Sequence, residues 1–352
     1  MKKPVKLACR KILSKSRDMA FLALFLLFSV SVFAQTTLVT ESAPLTSSLS
    51  AINTSPAINN GDQATNVVFI VSKDTRAYTQ VVDAIQNNLL LEKQDYSFKK
   101  ILKTAVGSME TTFRAADVIV TLGAGAAEAV FNRKGSQPVI ALLITDNMFS
   151  LLADEYFGSR SQALASGVSV VCLEQPVERS IKLAKLVMPA ATNLGLMLGP
   201  SSSGRLSEIE GYVKASDMIP NLVSIKPSDN PILVIDPVIK RSDVFIPLPD
   251  NRLINTATAK WILQLSYRYK VPVIAYSKTY LNAGALAAIY SSPDNVARQV
   301  SDLLMKNPMS SDYVGQVYQP AYFSVEFNDY VAENLNIHLR DEQFYLDQLS
   351  VD

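Results

Sequence analysis

Histidine is almost missing from this chain: one residue, His338, among 352, beside two cysteines, Cys9 and Cys172, and one tryptophan, Trp261. His338 sits next to Leu339 in the C-terminal stretch, far along the chain from any loop that ends a strand. Serine–histidine hydrolysis and histidine-based metal sites therefore lose their key group, and a cysteine nucleophile lacks its base. Two cysteines make no disulfide framework. Val170, Val171 and Leu173 around Cys172 mark a buried strand thiol instead.

An excess of either charge is also missing, with 33 basic residues against 32 acidic. Seven of the basic ones (Lys2, Lys3, Lys6, Arg10, Lys11, Lys15 and Arg17) precede residue 35, where Asp18 is the one acid. From Gln35 onward the count is 26 against 31, a net charge of −5. No basic run is left to suggest nucleic acid. A long apolar run is lacking too: Met19 to Ala34 is uncharged but shorter than the roughly 20 residues a membrane span needs. A basic start, this short apolar run and the small residue at its end, Ala34, predict a secretory signal peptide over 1–34, with Cys9 placed too early for lipid attachment. Residues 35–65, rich in Thr, Ser, Ala and Asn with no periodicity, read as a disordered leader.

Order begins at Asn66. Val67–Val71, Asp117–Leu122 and Pro138–Ile144 are apolar runs of strand length. They end in Ser72-Lys73-Asp74, Gly123-Ala124-Gly125 and Thr145-Asp146-Asn147, and they alternate with helical periodicities. That rhythm predicts a doubly wound parallel α/β lobe. The glycine turn is not a dinucleotide fingerprint: Ala126 to Ala129 supplies no third glycine, and the fingerprint belongs on the lobe's first strand. A new unit begins with Ala165–Leu173. Val177–Val187 is helical and Asn193–Leu198 a strand. The loop Gly199-Pro200-Ser201-Ser202-Ser203-Gly204 lacks the Lys-Ser/Thr ending of a phosphate loop. Leu222–Ile225 and Ile232–Ile235 are proline-interrupted apolar runs whose pairing stays open. Val244–Ile246, a helix carrying Trp261, Val271–Tyr276 and Ala285–Tyr290 then make a strand–helix–strand unit with parallel strands. Their ends carry Asp250-Asn251, Ser277-Lys278 and Tyr290-Ser291-Ser292, the edge where ligands sit in such sheets.

The order strand–PDN–helix–YKVPVIA–GALAAIY over Asp243–Ser292, with the glycine turn at Gly123 and the acid at Asp146, resembles the periplasmic substrate-binding proteins of ABC transporters. The likeness runs from about Val67 to the C-terminus, and better understood members take up aromatic or other amino acids. It implies a type I periplasmic binding fold: two doubly wound parallel-sheet lobes joined by a hinge, lobe 1 from 66–168 plus 291–320 and lobe 2 from 169–290 plus 321–352. It also implies hinges near Gly167, Ser291 and Ala321, a periplasmic location and an inner-membrane permease with its ATPase as partner.

The strand ends and the resemblance together give a ligand cleft. Ser72, Asp74, Gly123, Ala124, Asp146 and Asn147 line it from the first lobe, and Ser202, Asp250, Asn251, Tyr276 and Tyr290 from the second. Tyr276 and Tyr290 are placed to stack on an apolar ligand. Helix N-terminal amides are placed to meet a carboxylate, and Asp146 and Asp250 to meet an ammonium group. Both aspartates also suit helix caps. Asp74, Asp146 and Asp250 acting as acid and base is the least supported reading. The expectation is a monomeric binding protein, not an enzyme, with no cofactor and no metal. A sensor presenting its closed form to a membrane receptor is the alternative.

Overall fold

The computed structural model describes residues 64–91, 95–250, 253–306 and 314–350. The signal peptide and nearly all of the leader expected from the sequence lie outside the described residues, as does Asn251.

β-Branched runs build a first sheet. In chain order its elements are β1 (Thr65–Val71), α1 (Arg76–Leu91), β2 (Tyr96–Leu102), α2 (Glu110–Arg114), β3 (Val118–Leu122), α3 (Ala124–Arg133), β4 (Val139–Ile144), α4 (Asp146–Phe157), α5 (Arg160–Ala165) and β5 (Val168–Cys172). A late strand, β11 (Val317–Tyr318), joins the edge to give the order β11-β5-β4-β3-β1-β2, all pairs parallel. Strands β3 and β5 are buried at every residue, as parallel strands covered on both faces must be. One face holds Val68, Ile70, Phe113, Phe131 and Phe149. The other holds Phe69, Ile85, Leu89, Val296 and Val300.

The second sheet follows with α6 (Val177–Val187), β6 (Asn193–Leu198), α7 (Leu206–Ala215), β7 (Ile219–Ser224), α8 (Pro231–Lys240), β8 (Val244–Pro247), α9 (Thr256–Tyr269), β9 (Ile274–Ala275), α10 (Lys278–Asn282) and β10 (Ala287–Tyr290). Next come α11 (Pro293–Met305), packed on the first sheet, then β12 (Ser324–Phe327), α12 (Asp329–Asn334) and α13 (Glu342–Ser350) on the second. Parallel β7-β6-β8 meets β12-β10-β9 through a bridge between Phe245 and Val273. Only β10–β12 is antiparallel among the described strand pairs. The mixed α/β architecture with two largely parallel sheets is the fold class expected from the sequence.

Three details differ from the sequence reading. Ile232–Ile235 belongs to a helix: Asn230 caps it by accepting the Ile232 amide at 3.2 Å, and Pro231 fits the first helical position, where no donor is needed. The long apolar strand expected over 271–276 shortens to Ile274–Ala275 plus the bridge at Val273. Finally, residues 169–172, assigned to the second lobe, pair with β4 in the first sheet, so the chain crosses after Cys172, and Gly167 lies against that sheet, its carbonyl accepting the Val139 amide at 3.0 Å.

The chain passes between the sheets three times, at 173–176, at 291–292 and at 319–323, and these segments are tied together. Gln175 donates to Ser291 Oγ at 2.8 Å, and Ser291 in turn donates to the Tyr322 carbonyl at 3.0 Å. Arg179 donates to Gln175 at 2.6 Å and to the Pro320 carbonyl at 2.9 Å, its guanidinium 4.2 Å from the Phe323 ring centre.

Candidate functional site

Each sheet presents a polar cluster at the carboxyl ends of its strands. In the first, Ser72 directly follows β1. Its hydroxyl donates to the Leu122 carbonyl at 2.9 Å and accepts the Ala126 amide at 2.8 Å, so it fastens the start of α3 to β1. Gly123 begins that helix at φ +86° with Tyr78 and Ser72 packed against it, and burial raises the Tyr78 hydroxyl pKa. Ala124 opens α3 and is half-buried. The expectation that this helix end offers its amides to a ligand is thus corrected at Ala126, whose amide Ser72 already takes. Asp74 points away: it is exposed and pairs with Lys100 at 3.3 Å.

Before Asp146 the backbone of β4 breaks register between Ala141 and Ile144, with Leu143 at φ +56°. A bulky residue in the left-handed region is strained, and such bulges re-aim the side chains that follow. Thr145, not Asp146, caps α4, accepting the Met148 amide at 3.2 Å. Asp146 is left to pair with Arg160 at 2.5 Å, which raises the arginine pKa, and to accept the Cys172 thiol at 3.9 Å. Burial, with Glu174 and Asp146 adding to it, pushes the Cys172 thiol up to about 12. Asn147 is exposed one residue on.

Sequence reasoning missed Glu174, on the first crossing segment. Its Oε1 accepts the Asp146 amide at 2.8 Å, whereas Oε2 is buried without a hydrogen-bond partner among the described residues. Burial is the main reason its carboxyl pKa is raised, and the Asp146 charge adds to this; its own backbone amide, that of Asp146 and the Arg205 charge pull the other way. The folded chain therefore holds this proton to higher pH than the unfolded chain. Its contribution to stability is complete below the ordinary glutamate range and is lost as pH rises through the raised value. Glu174→Gln cannot titrate and is expected to remove that part of the pH dependence. Urea midpoints at a series of pH values check this, and an unchanged slope would mean the carboxyl is solvated.

The second cluster joins β6 to β8. Asp250, 3% exposed, accepts the Ser201 amide and the Ser202 hydroxyl, each at 3.0 Å. The cap expected of it falls instead to Asn255, which accepts the Thr258 amide at 3.0 Å. Arg205, next along the serine loop, grips Glu208 at 2.9 and 3.1 Å. That grip holds Glu208 below the usual carboxylate range, against burial and the charge of Asp146 from the other sheet. Tyr276 packs edge-on to Tyr280 with centres 5.5 Å apart, and the Tyr290 hydroxyl donates to Glu326. Both tyrosines pack against the apolar cluster around Phe245, Ile262 and Val273, burial raises both hydroxyl pKa values, and Glu326 adds to the rise at Tyr290.

Of the expected residues, then, Ser72 and Gly123 sit together, as do Ser202 and Asp250. Asp146 is joined by the unforeseen Arg160 and Glu174, and its charge reaches Glu208, which the unforeseen Arg205 holds on the second half. A proline following Leu-Glu-Gln was the one sequence signal for Glu174, because Pro176 precedes the helix that starts the second half.

Two largely parallel sheets joined by three crossings, with polar strand ends, define a two-half α/β binding architecture. The chain belongs to the ABC transporter substrate binding protein family, whose model matches residues 65–306. Members of that family are binding proteins, typically extracytoplasmic. No curated protein matches the chain. Solved structures of the type I periplasmic fold do. A ligand-free, open substrate binding protein with adhesive properties from Clostridium difficile is 16% identical with a TM-score of 0.62, over 80% of this chain and 97% of that one. An ABC domain in complex with L-Trp from Streptococcus pneumonia is 15% identical with a TM-score of 0.51, over 80% and 98%. A conserved domain protein from Vibrio cholerae is 17% identical with a TM-score of 0.52, over 81% and 98%. Among the described residues, no helix is long and apolar enough to cross a membrane.

Proposed function

We propose that the chain is a periplasmic solute-binding protein. It captures an amino acid or similar small molecule between its halves and delivers it to an inner-membrane ABC permease, as a monomer and without catalysis. The observation that carries this reading is a run of charged pairs toward the junction: Asp146 with Arg160 on the first half, Glu174 on the crossing holding the Asp146 amide, and Arg205 with Glu208 on the second half, whose charges are felt at Glu174 and from Asp146. Both charge signs stand on either side, which suits a zwitterion. Closure is a hinge motion about the three crossings, driven by a ligand that touches both halves.

A thermal-shift panel of amino acids, small peptides, nucleosides and sugars tests it. A ligand at about 100 times its dissociation constant adds roughly 2.7 kcal/mol of stability. An amino acid is expected to give that shift, with Asp146→Ala and Arg205→Ala each weakening it. A shift from sugars alone would overturn the ligand class, and no shift from any small molecule would overturn the reading.

A further inference from the structure

Large apolar side chains stand exposed on α8 and α9. Leu233, Trp261 and Tyr267 are 72%, 41% and 88% exposed. Between the two helices runs a groove of about 290 Å³ walled by Ile232, Leu233, Trp261 and Leu265, with Asp236 and Arg268 at its polar end. These helices and the residues that end them carry five exposed cations: Lys240, Arg241, Lys260, Arg268 and Lys270. They carry one acid, Asp236, which already accepts the Tyr269 hydroxyl at 3.0 Å. Among the described residues no carboxylate lies at ion-pair distance from any of the five. The helices are neighbours in space but separated in sequence, so no basic run announces the face.

We propose that this face docks on an anionic lipid surface. Exposed Trp, Tyr and Leu among lysines and arginines is the composition of elements that lie at a membrane interface, the rings settling at headgroup level. Protein interfaces, by contrast, are depleted in lysine, which supplies three of the five cations here. The chain from Gln35 on is acidic overall, so a negative surface attracts this face and repels the rest, which sets one orientation. The inference does not rest on the ligand-binding reading.

Trp261 is the chain's one tryptophan, so its emission reports on this face and on no other segment. The full chain is mixed with vesicles of phosphatidylglycerol and phosphatidylcholine, or of phosphatidylcholine alone. The expected result is a blue shift with the anionic vesicles only, reversed by high salt. The Lys260→Glu/Arg268→Glu double variant is expected to bind roughly tenfold or more weakly. Leu233→Ser, at an exposed position that leaves the core intact, is expected to reduce the shift as well. Three results would overturn the proposal: an equal shift on neutral vesicles, co-sedimentation with Trp261 emission unchanged, or charge variants that bind as the parent does. Unchanged emission together with a photo-crosslink from position 264 to an acidic protein would assign the face to a protein partner instead.

Discussion

Asp250→Ala is expected to lower folding stability by about 3 kcal/mol, through the serine loop and before any effect on a ligand. The carboxylate is 3% exposed and accepts from the Ser201 amide and the Ser202 hydroxyl at 3.0 Å. Hydrogen bonds to a charged group contribute about 1.5–3 kcal/mol each, and truncation also strands their donors. Ser202 accepts the Gly199 amide at 2.9 Å, so the loop leaving β6 loses its anchor on β8 in one step. Gly199 has no room to compensate: a Cβ there would stand 2.5 Å from the Asp250 carboxylate. For a chain of this size the loss corresponds to a fall in Tm of roughly 4–6 °C. Asp250→Asn keeps an acceptor and is expected to cost about 1 kcal/mol. Urea denaturation followed by Trp261 emission measures both. If Asp250→Ala leaves stability unchanged while abolishing the ligand-induced thermal shift, Asp250 faces the ligand as the strand-end position suggests, and the structural account fails.

That contrast shows what the sequence makes legible. Val67–Val71, Asp117–Leu122 and Pro138–Ile144 announce themselves because a parallel strand buried on both faces is an unbroken β-branched run. Their polar ends follow at once, which is why Ser72, Gly123 and Asp146 were visible. Where a run fits two periods, local reading fails. Ile-Leu-Val-Ile at 232–235 suits strand or helix, and the cap at Asn230 decides for helix. Val168–Cys172 carries no mark of the sheet it joins, so local reading puts the crossing four residues early; its pairing with β4 across a bulge settles it. The destinations of side chains were the least legible. Asp250 turns inward to a loop 48 positions away, and Glu174 reaches back 28 positions to the Asp146 amide. Neither separation follows any repeat of helix or strand.

Gly123→Ala is expected to cost about 3 kcal/mol, whereas Gly125→Ala, two residues on, is expected to stabilise. At Gly123 two independent terms add. The backbone stands at φ +86°, where a side chain costs on the order of 1–3 kcal/mol. A Cβ would also come within 2.4 Å of the Tyr78 hydroxyl and 2.8 Å of Ser72 Oγ. Moving Ser72 releases the Ala126 amide and the Leu122 carbonyl, so the junction of β1, β3 and α3 loosens together. At Gly125 the backbone is already helical, and the nearest atom to a Cβ is Lys103 Nζ at 2.8 Å, the far end of a flexible chain. The lysine swings aside, and alanine gains about 0.5–1 kcal/mol over glycine in a helix. Chemical denaturation of the two variants tests the pair, because a cost at Gly123 well beyond that of the backbone angle alone follows only if the tie through Ser72 is rigid. A rigid tie is also what the ligand reading needs. A cleft wall that holds its shape before the ligand arrives spends less of the binding energy on ordering itself. Equal, small effects at both glycines would mean that this wall forms only on closure.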